Sequence, residues 1–133
     1  MDYFAYGITL NREQMRKICP DAKPKFSVVL PNYKLVFSGW SREWHGGTVS
    51  IKPFKSERVV GAIYEISDAD LQKLDRFEGY PAVTDHVNVL ILKEDGQALK
   101  ALTHIKRRQA DESKPSPEYL SIVRKGYRDW ELE

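Results

Sequence analysis

The sequence predicts an α+β fold: a small, mostly antiparallel or mixed, strongly curved sheet with flanking helices. Three observations carry this. Strand-like segments outnumber helical ones. They do not alternate regularly with helices, as a doubly wound parallel sheet requires. The chain has 133 residues, enough for one core, so a single domain over residues 1–133 is expected.

The elements follow in order. Tyr3, Phe4, Ala5 and Tyr6 read as a buried strand interrupted by Gly7. "NREQMRKIC" then reads as a helix, with Asn11 as N-cap, Gln14 as its reciprocal partner and Pro20 as its stop. "FSVVL" (26–30) and "YKLVFSG" (33–39) read as strands with a turn at Pro31 and Asn32. "SREWHGG" (41–47) is a loop and "TVSIKP" (48–53) a short strand. "RVVGAIYEI" (58–66) is apolar on both faces and therefore central. Ser67 and Asp70 form a capping box that starts a helix, and Gly79 and Pro81 end it. "HVNVLILK" (86–93) and "ALKALTHIK" (98–106) form a hairpin about Glu94, Asp95 and Gly96. "ADESKPSPE" (110–118) is an ordered loop or a mobile flap. Ser116 caps the last helix, Pro117 takes its first position, and Gly126 weakens it near the end.

Composition excludes several functions. With 21 basic and 19 acidic residues, the net charge of +2 is too balanced to imply a nucleic-acid partner. The one basic run, Lys106–Arg108, reads as a solvated strand end. No apolar run reaches the ~18 residues of a membrane span. The first residues lack the pattern of a signal peptide, so a cytoplasmic location is expected. Cys19 is the only cysteine and falls at apolar spacing from Met15, which favours a small buried hydrophobe over a nucleophile. The three histidines show no metal-ligand spacing; His86 and His104 lie on paired strands, where a structural role outweighs zinc binding. No phosphate or dinucleotide loop is present, so no metal and no organic cofactor are expected. Monomer and homodimer are both left open.

Two features suggest chemistry. At ~100° per residue, Leu74 lies ~300° and Glu78 ~340° round the helix from Leu71, so Glu78 falls on the apolar face. Asp70 and Asp75 fall elsewhere and are expected in solvent. A carboxylate on a core-facing stripe is desolvated, which raises its pKa and makes it a proton acceptor near neutral pH. The second feature is the turn after Tyr6. A strand end, a glycine and a helix start gather free backbone N–H groups that suit a carboxylate or an oxyanion. Tyr119, just after the "PSP" segment, is placed to close over such a pocket.

Three stretches, "YFAYGITLN", "GAIYEISDADLQKLDRFEGYP" and "PSPEYLSIVRKGYRDWEL", together resemble the γ-glutamylcyclotransferase-like (AIG2-like) family. The resemblance covers nearly the whole chain in the right order. It implies a small mixed β-barrel with helices around it and a cofactor-independent enzyme. The implied reaction cyclises a γ-glutamyl amine or peptide to 5-oxoproline and releases the free amine or amino acid. It implies Glu78 as general acid/base, and substrate binding by Tyr3, Phe4, Ala5, Tyr6, Gly7, Ile8, Thr9, Leu10 and Tyr119. The departure is at positions 8 and 9, where the family often has Ser-Asn or Thr-Leu and this chain has Ile8 and Thr9. Ile8 removes a hydroxyl contact and resists positive φ. It is the feature that favours the alternative, a binding protein that keeps the γ-glutamyl pocket without turnover.

Overall fold

The computed structural model describes residues 1–108 and 111–132. Five strands close into a barrel in the order β1-β3-β2-β4-β5. They are β1 (Asp2–Ala5), β2 (Lys23–Ser41), β3 (Gly46–Glu65), β4 (Thr84–Leu92) and β5 (Ala98–Lys106). The helices are α1 (Arg12–Ile18), α2 (Asp68–Glu78) and α3 (Pro117–Asp129), and a 3-10 turn spans Ile8–Leu10. β3 is central, pairing antiparallel with β1 and β2. The barrel closes through a parallel bridge, Tyr3 to Leu102.

One core fills the barrel with residues from all five strands, among them Phe4, Leu30, Ile51, Ile63, Ile91 and Ala101. A second core, with Tyr3, Ala5, Met15, Tyr64 and Leu74, packs α1 and α2 on the outside. β1 thus alternates: Phe4 points into the barrel, Tyr3 and Ala5 toward the helices. Among the described residues, no helix is long and apolar enough to cross a membrane.

Several local expectations need correction. Residues 26–39 are one strand, not two. Pro31 and Asn32 form a register shift rather than a turn: Asn32 takes a φ of 64° and its Oδ1 accepts from the Ser56 N–H. The opposing segments 48–53 and 58–66 are likewise one strand, because the irregularity is shared across the pair. Asn11 caps α1 through Gln14 N–H, but its own N–H donates to the Ile8 carbonyl, so the reciprocal arm is not needed. The 111–118 segment is pinned rather than mobile: Ser113 N–H donates to Phe37 O, and Gly39 and Gly47 N–H donate to Asp111 and Lys114. Ala110 of that stretch lies outside the described residues. Gly126 is a contact point, since a Cβ there would lie 2.7 Å from the Asn11 nitrogen.

Candidate active site

A cavity of about 1020 Å³ opens at one end of the barrel. Its walls are the turn after Tyr6, the tip of the β2–β3 hairpin, the C-terminal end of α2, the end of β5 and the start of α3.

Glu78 enters this cavity from the last residue of α2. The capping box of Ser67 and Asp70 sets where the helix starts, and Gly79 in the left-handed region (φ 70°) sets where it stops. The Glu78 carbonyl accepts from Thr84 Oγ1 at 3.1 Å, which ties the helix end to β4. The side chain is therefore held between a buried Leu74 stripe and the cavity. Burial pushes its pKa up to about 7, against the pull of the Lys106 ammonium.

The turn opposite is built by close approach. A Cβ on Gly7 would lie 2.2 Å from Val49 Cγ1, so only glycine lets β3 come this near. The 3-10 turn uses Leu10 and Asn11 N–H as donors to Gly7 and Ile8 carbonyls. The N–H groups of Gly7, Ile8 and Thr9, at its start, gain no partner within the turn. The positive φ considered for Ile8 is not used; its buried side chain packs with Tyr119 and Val123 of α3.

Tyr119 has two fixed contacts. Its oxygen accepts from Val49 N–H at 2.9 Å, and its ring stacks on Trp44 at 5.3 Å. Lys106 closes the other side. Its Nζ donates to the Ser38 and Thr48 carbonyls, each at 3.0 Å, and to Thr48 Oγ1 at 2.7 Å. Burial lowers its pKa and the Glu78 carboxylate raises it.

A polar cluster borders the cavity that the pattern of the sequence did not reveal. Asp75 Oδ1 accepts from His86 Nε2 at 2.6 Å and from His104 Nε2 at 2.7 Å. His104 Nδ1 in turn meets the Tyr3 hydroxyl at 2.7 Å, and Tyr80 stacks on His86. Asp70 takes the capping-box role the sequence predicts, whereas Asp75, expected in solvent, is committed to two imidazoles. Asp75, His86 and His104 could offer one metal-ligand atom each. The 2.6 and 2.7 Å contacts are hydrogen-bond lengths, shorter than the ~3.3 Å that two ligands keep on a tetrahedral zinc. The pairing of His86 with His104 was visible as a register. Asp75 was the missing member: it sits one turn before Glu78, on the side of α2 that meets β4 and β5.

Tyr3, Tyr6, Gly7, Ile8, Thr9, Glu78 and Tyr119 all line the one cavity. Phe4, Ala5 and Leu10 are fully buried in the surrounding structure, and the cavity wall does not include them.

A family model described as "Gamma-glutamyl cyclotransferase, AIG2-like" matches residues 3–129. The chain belongs to this family. It is 26% identical to human γ-glutamylcyclotransferase over 132 residues, covering 96% of this chain and 70% of the relative. The bovine γ-glutamylcyclotransferase is 25% identical over the same shares of both chains. A solved γ-glutamyl cyclotransferase superposes with a TM-score of 0.94 at 25% identity, over 99% of this chain and 80% of that one. The crystal structure of an uncharacterized human protein gives 0.93 at 26%, over 98% and 80%. The protein is thus an enzyme of the γ-glutamylcyclotransferase class with the family's barrel.

Proposed function

We propose that the enzyme cyclises a γ-glutamyl amine or peptide to 5-oxoproline, with Glu78 as general acid/base. The observation that carries this is the placement of Glu78: a carboxylate with a pKa near neutrality, recessed in a cavity that it shares with a turn whose first N–H groups are not used by the turn's own bonds. The carboxylate takes a proton from the substrate's α-ammonium group. The freed amine attacks the γ-carbonyl carbon, forming the ring C–N bond. The original C–N bond then breaks as Glu78 returns the proton to the departing amine, and the ring nitrogen's second proton passes through the same carboxylate to the released amine, leaving the neutral lactam. Folding the substrate so that amine and carbonyl meet supplies much of the rate.

The turn Tyr6–Leu10 suits the glutamyl head group, through backbone donors that no side chain replaces. Tyr119 adds a hydroxyl whose oxygen is occupied by Val49 N–H and whose hydrogen remains to be donated into the cavity. Tyr3 and Tyr6 complete the wall. Ile8, which favoured the non-catalytic alternative, has a packing reason to be isoleucine, and that alternative has no other support.

The test is incubation with a panel of γ-glutamyl amines, amino acids and peptides, with detection of 5-oxoproline. Product from the wild type and its loss in Glu78→Gln, with folding unchanged, is expected. Undiminished turnover in that variant would sink the base assignment, and binding of the panel without product would select the binding protein.

A further inference from the structure

We propose that Tyr3 is the acceptor for the α-ammonium group of the substrate, and that His104 and Asp75 are positioning residues that hold it in that state. The proposal rests on the cyclotransferase reading and adds a residue-level assignment to it.

One chain of hydrogen bonds leads from Asp75 through His104 to Tyr3. The Asp75 carboxylate can only accept, so His104 must present a proton on Nε2. The His104 ring is 1% exposed, and burial holds its pKa below the ordinary value, so the imidazole is neutral and Nδ1 carries a lone pair. That lone pair accepts the proton of the Tyr3 hydroxyl. The Tyr3 hydrogen is then spent on His104. Among the described residues this is the only hydrogen bond the Tyr3 hydroxyl makes, and the residue lines the cavity. With its hydrogen on His104, the phenol oxygen can act toward a ligand only as an acceptor.

Glu78 lines the same cavity as Tyr3, and after burial its charge is what most raises the pKa of the Tyr3 phenol. A carboxylate and a phenol oxygen fixed as an acceptor form two acceptors at one end of the cavity, which suits a group with three donors. One N–H of the ammonium goes to Glu78 and is transferred; another stays on Tyr3. The amine is thus held by a second point while its lone pair turns to the carbonyl. A tyrosine free to rotate its hydrogen could present it to the cavity as a donor; the Asp75–His104 pair holds that hydrogen on His104 instead. Tyr119, whose oxygen is occupied by a backbone donor, has the opposite polarity and serves the acidic or carbonyl oxygens of the substrate.

The experiment compares Tyr3→Phe with wild type, using a γ-glutamyl amide substrate and the matching glutaric monoamide, which lacks the α-amine. Loss of a hydrogen bond to a charged group predicts a fall in kcat/KM of about tenfold or more. The inhibition constant of the glutaric monoamide stays within about a factor of two, since it never had that bond. Asp75→Ala gives the same selective loss, smaller in size. A change that strikes both compounds alike in either variant, or neither compound in Tyr3→Phe, overturns the proposal. Should the wild type produce no 5-oxoproline, the cyclotransferase reading falls separately. Calorimetric titration with L-glutamate and glutarate then decides the ammonium site: wild type must prefer glutamate, and Tyr3→Phe must reduce that preference by about tenfold. Equal binding of the two by wild type overturns it as well.

Discussion

The Tyr119 hydroxyl accepts a hydrogen bond from the backbone N–H of Val49 at 2.9 Å, joining the first turn of α3 to the strand that packs on Gly7. Tyr119→Phe leaves that N–H without a partner, for a loss of about 1 kcal/mol by denaturant unfolding. In the proposed reaction it also removes a hydroxyl hydrogen that the substrate would accept, for an expected fall in kcat/KM of about tenfold. Since the ring and its stacking on Trp44 survive, a far larger loss of stability would mean that the hydroxyl is structural only.

Glu78→Gln is expected to lower kcat by about 10²–10⁴-fold, the usual contribution of a general base. It should also stabilise the fold, in a pH-dependent way. The folded pKa stands at about 7 against an ordinary 4.5, so the native state holds this proton more tightly than the unfolded chain. That contribution is complete below about 4.5 and is lost as pH rises through about 7. Glutamine never ionises, so the variant gains on wild type above neutrality, by on the order of 3 kcal/mol, and matches it in acid. Thermal melts at about pH 4 and pH 8 check this; equal shifts at both would contradict a desolvated carboxylate.

The same titration sets the pH dependence of catalysis. kcat/KM should rise with a single ionisation near 7 and then level off, because the base works only when deprotonated. The Lys106 ammonium lowers the Glu78 pKa. Lys106→Met therefore moves the midpoint to higher pH, and a midpoint unmoved in that variant would separate the two groups.

Much of this arrangement was legible because it follows local rules. The capping box at Ser67 and Asp70, the left-handed Gly79 and the proline at the start of α3 depend on neighbours a few residues away. The Leu71–Leu74–Glu78 periodicity put the carboxylate on the right face for the same reason. What stayed hidden depends on residues far apart in sequence. Asp75 meets His104 across 29 positions and Tyr3 meets His104 across 101, so no window of sequence contains the network. Pro31 and Asn32 have the composition of a turn, yet pairing with β3 on both sides of them carries the strand through with only a bulge, as tertiary pairing overrides local preference.

Ile8 illustrates how packing can explain a residue that chemistry does not. Its side chain is buried against Tyr119 and Val123. Ile8→Ser, which restores the hydroxyl common in the family, should cost about 2–4 kcal/mol through the cavity and buried polar group it creates. Turnover should not improve. A gain in kcat/KM with unchanged stability would show that the hydroxyl, rather than the packing, is what this position supplies.

Gly126 separates helix propensity from tertiary contact most sharply. On propensity alone, Gly126→Ala in α3 should stabilise the protein by about 0.5–1 kcal/mol. In the fold, the added Cβ would stand 2.7 Å from the Asn11 nitrogen and 2.9 Å from the Leu10 carbonyl carbon, both backbone atoms. These belong to the junction between the substrate-side turn and α1, where Asn11 Nδ2 also donates to Ile122 O. Backbone at that point cannot yield without moving the Tyr6–Leu10 turn. The variant should therefore be destabilised by about 1–3 kcal/mol, and KM should rise with it as the turn is displaced. Urea unfolding and steady-state kinetics on the same preparation measure both effects, and a stabilised Gly126→Ala enzyme would show that α3 is free to shift away from the site.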